Sequence, residues 1–568
     1  MKPLTPVTAT APSSATSITS KTDLLHLLGT SIGGIITNPF SPSATTTTIS
    51  RGEILTDLTA DLTYRLSLPY ILPPSTYHPP PPFSKRILWV QGRANIQASH
   101  QFYQAAHALG ITLVVADVPG HWMEPDDGPH AHFREAFVHL NIDADEGLSQ
   151  RIIDVVRAYP HPIHGIVSIS DARLPHVAKA CEVLGLPTES SNAYWIAGNK
   201  GETRKLENQF SSGSGGDESI VLETGTEEEL NSALAQRPGG EDSLNFSLIV
   251  KPCTGWNSDC VVKVSSLASL RAAVRRASAR HAASPARNTG VVIEPYVSGP
   301  EVDANFIILD GEVLFCDITD DFPCSGDLLQ NSKAANFMET LMDVPSALPE
   351  DEQKMMRDSL TESIKRCGFR SGIFHCEARV RNSTAFYAPR EDNPGILDLH
   401  FSSPQKEEEA TPSCYLHEVN ARSPGYINCV AALLAHGVDY YAVRLLLALG
   451  AAENPRIKAL STQFRTQKPQ YTLGIAVLPP TRTGTMGSED AVGEFLDANP
   501  DLNKHVVFYQ TVKEKGETVQ GPDSSELWCV GYVIVASRKR GAEEARKECL
   551  ELAQACRERF DYRLLEDD

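Results

Sequence analysis

A chain of 568 residues that is 41% hydrophobic is too long for a single core, and three or four domains of roughly 100–200 residues are expected. With 51 basic against 71 acidic residues the formal net charge is −20, which argues against a nucleic-acid partner, since no Lys/Arg stripe with interleaved aromatics occurs. Anionic substrates would have to be met by local positive charge and a divalent cation.

Residues 1–84 form a Ser/Thr/Pro-rich extension, with short helices expected around Asp23 to Leu28 and Ile54 to Leu66, and the prolines Pro79 to Pro82 as a stiff spacer. The extension lacks an apolar h-region, its first fifty residues contain no Arg, and no run of about 18 apolar residues occurs in the chain. No secretory, transit or membrane segment is therefore expected, and the cytoplasm is the expected compartment. The twelve cysteines lie singly, without zinc spacing, and read as reduced thiols.

From Arg86 the pattern changes. Ile87 to Val90 reads as a strand, Ser99 to Leu109 as a helix closed by Gly110, and Ile111 to Asp117 as a second strand, which makes a parallel βαβ unit. Gly147 to Ala158 and Pro175 to Leu184 read as helices flanking a strand at Gly165 to Ile169, so 85–190 is an open α/β domain. It has no GxGxxG, and a dinucleotide site is not expected there. Residues 191–293 are a mixed region with a loop at Ser211 to Gly216. Residues 294–469 are α+β, with a surface insertion expected at Arg390 to Ser413. The last unit, 470–568, has strands near Tyr471 to Leu478 and Val530 to Ser537 and a final helix from Gly541 to Phe560. The fold class is α/β and α+β, multidomain.

Three segments carry chemistry. The first, Leu248-Ile249-Val250-Lys251-Pro252, delivers a lysine at a strand end into the small polar loop Thr254 to Val261, which can surround a polyphosphate with an ammonium and backbone N–H groups. The second, Val291 to Val297 followed by Ser298-Gly299-Pro300-Glu301, places Glu294 and Glu301 at the ends of a connector. Such a backbone can pair with an adenine edge and a carboxylate can take ribose hydroxyls; two solvated glutamates flanking a turn would look the same. The third is a pair of strands, Gly372 to Val380 and Tyr415 to Arg422. Period two puts Leu416, Glu418, Asn420 and Arg422 on one face of the latter. Carboxylates of Glu377 and Glu418 with the Asn420 amide oxygen are a donor set suited to Mg²⁺, although a cross-strand ion-pair ladder would use the same residues. Arg422 beside them could neutralise a phosphoryl group or an acyl phosphate. The acidic pair in Asp317 to Pro323 could take an ammonium or be a solvated turn.

In the order and spacing of Lys251, Glu294, Glu301, Glu377, Glu418 and Asn420, residues 85–568 resemble the ATP-grasp superfamily. The Glu-x-Asn-x-Arg element resembles that of its carboxylate–amine (amino-acid, dipeptide) ligases. The resemblance implies an ATP-grasp fold with an N-terminal open α/β (pre-ATP-grasp) domain, a lid subdomain at 191–293, a catalytic subdomain at 294–469 and a C-terminal α+β subdomain at 470–568. It further implies ATP and Mg²⁺, or Mn²⁺ in its place, as cofactors. Lys200 and Lys251 would hold the phosphates together with Ser258. Glu294, Tyr296 and Val297 would meet adenine and Glu301 the ribose, while Glu377, Glu418 and Asn420 would bind metal. Lys251 and Arg422 would act in catalysis. The lid loop departs from the family pattern, with Asn257 and Cys260 where two glycines usually stand.

The implied reaction is ATP-dependent amide formation between amino-acid-like substrates through an acyl phosphate, with release of ADP and phosphate. No GxSxG or Cys/His nucleophile signature occurs. A biotin-carboxylase-like carboxylase and a catalytically idle nucleotide-binding protein are the alternatives. The expected partners are ATP and small-molecule acids and amines, with neither nucleic acid nor membrane, and a homodimer as a candidate assembly.

Overall fold

The structure, a computed structural model, describes residues 85–210, 219–255, 257–284, 287–328, 336–402, 411–463, 469, 471–521, 529–537, 539 and 541–567. The extension 1–84 with its expected helices and the loop Ser211 to Gly216 lie outside the described residues.

Strands β1 (Arg86–Val90), β2 (Thr112–Asp117), β3 (Ala136–His139) and β4 (Gly165–Val167) form a parallel sheet in the order β3-β2-β1-β4. Ile87 and Trp89 enter one core and Leu88 and Val90 another, so both faces are covered and the strand reads as a continuous apolar run. The expected helices occur at His100–Ala108, Leu148–Ala158 and Leu174–Leu184. Gly110 and Gly185 end the first and third at φ 70° and 68°, a left-handed stop that glycine adopts without strain.

Strands β5 (Ile220–Leu222), β6 (Leu248–Pro252), β7 (Val262–Val264) and β8 (Val291–Pro295) form an antiparallel sheet in the order β5-β8-β6-β7, packed on the helices Glu227–Gln236 and Leu267–Arg280. Each helix starts where a hydroxyl can accept a free N–H: Thr226 accepts from Glu229, and Ser266 and Ser269 cap each other reciprocally. The boundary expected between 293 and 294 falls inside β8, so Glu294 belongs to this sheet.

The chain continues through β9 (Glu301–Leu309), β10 (Glu312–Asp321), β11 (Leu341–Val344), β12 (Gly372–Arg381), the hairpin β13 (Ala385–Pro389) and β14 (Leu397–Phe401), then β15 (Ser413–Asn420), β16 (Leu473–Leu478), β17 (Gly484–Thr485), β18 (Val506–Thr511), β19 (Thr518–Val519) and β20 (Gly531–Ala536). Eight of these make one antiparallel sheet in the order β15-β12-β9-β10-β11-β16-β20-β18. The section from 470 onward thus extends the central sheet through β16, β20 and β18, and adds a small two-stranded sheet of β17 and β19. Between this sheet and the first one lie the helices Tyr426–His436 and Tyr440–Leu447, bent by 105° and almost wholly buried. No single helix among the described residues is long and apolar enough to cross a membrane.

The segment Arg390 to Ser413, expected as a surface insertion, contains β14, and its Asp398 is buried. The reason is charge: Arg546, on the C-terminal helix Ala542–Arg559, bonds Asp398 at 2.7 Å, Asp320 at 2.8 Å and Asp343 at 2.7 Å. One guanidinium faces three carboxylates. Asp320 also accepts from the Ala347 N–H and Asp398 from Arg390, but Oδ1 of Asp343 has no partner. Burial pushes Asp343 up, and Asp320 and Asp398 add to it against the pull of Arg546, to about 8. A carboxyl raised in this way contributes stability that is complete below its unfolded value of about 4 and is lost as pH rises through the folded value. The urea midpoint of the protein is therefore expected to fall between about pH 4 and pH 8 and to level off above that. Asp343→Asn is expected to flatten that decline, and an unchanged slope in the variant would place its origin elsewhere.

Candidate active site

On β12, Phe374, Cys376, Ala378 and Val380 enter a core, which leaves His375, Glu377, Arg379 and Arg381 on the other face. Simple alternation on β15 would put Leu416 beside Glu418, and the structure does not. Leu416 pairs with Ala378 and Glu418 with Glu377, so His417 is an extra residue in a β-bulge. Cys414 and Leu416 face the core before the bulge, Val419 and Ala421 after it. The phase change puts Leu416 in the core and brings Tyr415, His417, Glu418 and Asn420 to the polar face. Glu377 and Glu418 become directly opposed cross-strand neighbours.

Both lysines reach this face on carboxylate partners. Lys200 begins the helix Lys200–Phe210, whose first N–H groups, those of Gly201 and Glu202, donate to the Asn199 side chain. Its ammonium ion-pairs with Glu418 and donates to the Gly255 carbonyl at 3.4 Å. Burial alone would raise the Glu418 carboxyl, but Lys200 and the Asn420 amide, which donates at 2.7 Å, hold it at about 2. Lys251, on β6, pairs with Glu294 at 2.5 Å and donates to the His417 carbonyl at 3.2 Å. The two residues are diagonal neighbours across β6 and β8. Arg204, one helical turn after Lys200, closes the cluster on Glu294 at 3.0 Å, and the Tyr415 hydroxyl donates to the same carboxylate at 3.3 Å. Glu294 is 1% exposed. Expected to meet adenine, it is the buried counter-ion of Lys251 and Arg204, which hold its carboxyl below the usual range against the effect of burial.

Arg422 is fixed at both ends, donating to Asp171 at 2.6 Å and to the Asn420 amide oxygen at 3.1 Å. Beyond Glu377 the face is acidic. Asp303 is driven well above its normal value, first by burial. Burial and Glu377 push Glu339 up to about 7. His375, between Glu377 at 3.6 Å and Asn305 at 2.8 Å, is held at about 9 by Asp303 and Glu377 in spite of burial. Such an excess of buried negative charge is what a divalent cation relieves. Glu377, Glu418 and Asn420 supply oxygen donors at its edge, so they fit Mg²⁺. Among the described residues no three His, Cys, Asp or Glu side chains converge as a ready-made cage.

Glu301 accepts from Arg379 at 2.5 and 2.9 Å, and Arg379 also donates to the Val297 carbonyl at 2.8 Å. The Tyr296 hydroxyl donates to Asp327 at 2.7 Å, and its ring lies 3.5 Å from the Lys263 ammonium. Tyr296, Val297 and Glu301, three of the four residues expected around adenosine, thus share one cluster centred on Arg379. Ser258 stands apart, in the loop after β6, its carbonyl accepting from Val261. In that loop Asn257, Ser258 and Cys260 all have positive φ, at 53°, 51° and 59°. The backbone keeps a left-handed course without the usual glycines.

A lysine-bearing antiparallel sheet opposite a sheet face with paired glutamates and an anchored Glu-x-Asn-x-Arg element defines an ATP-grasp protein. The description of an ATP-grasp N-terminal domain fits residues 103–188, and that of the ATP-grasp domain fits 244–395. Over 558 residues, 96% of this chain and 90% of the relative, the sequence is 33% identical to the ATP-grasp enzyme fsqD of Aspergillus fumigatus, and the chain belongs to the ATP-grasp family. The crystal structure of an L-amino acid ligase from Bacillus licheniformis is similar over 83% of this chain and 97% of that one, with a TM-score of 0.58 and 21% identity. The biotin carboxylase domain of the Hydrogenobacter thermophilus 2-oxoglutarate carboxylase, solved with MgADP, ADP and bicarbonate, is similar over 80% of this chain and 86% of that one, with a TM-score of 0.51 and 14% identity. At these identities the two structures share the fold.

Arg204, Asp171 and His417 were not singled out as site residues from the sequence. Arg204 stands four residues after Lys200, and Asp171 follows the carboxyl end of β4, where open α/β sheets place their ligands. The bulge that admits His417 has no sequence signal.

Proposed function

We propose that this chain is an ATP- and Mg²⁺-dependent carboxylate–amine ligase. It joins amino-acid-like substrates through an acyl phosphate and releases ADP and phosphate. The reading rests chiefly on the guanidinium of Arg422, held by Asp171 and Asn420 beside the Glu377–Glu418 pair. That guanidinium can receive the acid substrate or its acyl phosphate without reorganising. Lys200 and Lys251 hold the phosphates. The backbone at Tyr296 and Val297 meets adenine, and Glu301, freed from Arg379, takes the ribose. Bound at Glu377, Glu418 and Asn420, Mg²⁺ would neutralise charge on the transferring phosphoryl group. The loop with Ser258 excludes water that would hydrolyse the acyl phosphate.

The test is a panel of amino acids in pairs, with ATP and Mg²⁺, scored by phosphate release and by product mass. Release that needs an acid and an amine together, with a condensed product, is expected. Release that requires bicarbonate would overturn amide formation in favour of carboxylation.

A further inference from the structure

A cavity of about 230 Å³ lies where the first α/β unit, the turn after β9, the start of β12 and the helix Tyr440–Leu447 meet. Gly372 lines it, and Glu377 is five residues further along β12, about 17 Å away at the usual strand rise. The cavity therefore stands outside the ATP site. Its walls include Leu174, Val177, Leu447 and Ile457. One cation reaches it: Arg444, 9% exposed, whose Nε is buried without a hydrogen-bond partner and whose side chain has no ion pair among the described residues. The last turn of its helix offers a favourable dipole but no acceptor for that Nε. A buried guanidinium without an ion pair is costly, and an anion in the cavity that meets its terminal nitrogens lowers that cost.

Two carboxylates, Glu189 and Asp310, line the same cavity. Glu189 accepts from the Ser371 N–H at 2.7 Å, and Asp310 accepts from Asn454 at 3.3 Å. They disfavour a polyanion and suit an ammonium. The volume is below the roughly 300–1,000 Å³ of drug-sized pockets and suits one small molecule.

We infer that this cavity binds a small aliphatic α-amino acid, with its carboxylate on Arg444, its side chain against the leucine, valine and isoleucine wall, and its ammonium toward Glu189 and Asp310. The site is separate from the one that turns over ATP. Calorimetric titration of the full chain, without ATP, tests this with L-leucine, 4-methylpentanoate, isoamylamine and inorganic phosphate. L-Leucine is expected to bind wild type and Glu418→Gln alike, 4-methylpentanoate more weakly, and isoamylamine and phosphate not at all. Arg444→Met is expected to weaken L-leucine binding at least about tenfold, the loss of a charge-assisted hydrogen bond. Where that variant does not fold, Ala451→Trp, at an exposed position on the cavity rim, is expected to abolish binding. No heat with L-leucine up to about 10 mM, a weak affinity by any measure, would overturn the inference. So would unchanged binding in the foldable variant, loss of binding in Glu418→Gln, or binding of phosphate alone.

Discussion

Glu418→Gln is expected to lower ATP-dependent phosphate release by on the order of 10³-fold, about 4 kcal/mol in the barrier, while the protein still folds. Glutamine keeps the shape of the side chain, and its carbonyl can still accept from Lys200 and from Asn420. What it removes is one negative charge from the pair opposed across β12 and β15. A divalent cation held between Glu377 and Glu418 would then lose half of its carboxylate support. Stability is expected to fall as well, since Lys200 and Asn420 hold the Glu418 carboxylate at about 2, but Lys200 keeps the Gly255 carbonyl and a polar neighbour. Steady-state phosphate release and a urea melt on the same preparation separate the two effects. Turnover within about threefold of wild type would mean that the metal ligands lie elsewhere on the face.

Glu294→Gln is expected to cost about 3–5 kcal/mol of stability, the usual consequence of taking one member from a buried ion cluster. Lys251 and Arg204 are 4% and 7% exposed, and both end on the Glu294 carboxylate. Without it, two cations remain buried together, and Lys251 loses the partner that aims it from β6. ATP binding should weaken along with stability. The double variant Lys251→Met/Glu294→Gln is expected to recover part of the urea midpoint, since it removes one of the two orphaned charges, but not the binding. A single variant as stable as wild type would show that Arg204 and Lys251 find other acceptors.

How far the sequence revealed this molecule depends on whether a property is local. The βαβ unit was legible because Ile87 to Val90 and Leu113 to Ala116 are continuous apolar runs, and Gly110 and Gly185 mark helix ends by a conformation few other residues accept. The lysines and glutamates of the site were legible as residue types at ordered spacing, aided by family resemblance. Their pairing was not. That Glu294 serves Lys251 follows from the β6–β8 register, which joins segments more than forty residues apart. The phase of β15 could not be read either, because alternation assumes a regular strand, and the extra residue at His417 moves Leu416 into the core. Asp398 looked like part of a solvated insertion because its partner, Arg546, lies on the last helix of the chain.

The loop after β6 has a thermodynamic character of its own. Glycines at these positions would let it wander through many conformations, and ordering such a loop costs that freedom. Asn257, Ser258 and Cys260 restrict the open ensemble, at a cost of roughly 1 kcal/mol of backbone strain for each left-handed side chain, less for asparagine. A loop of this sequence therefore samples fewer conformations than a glycine loop of the same length.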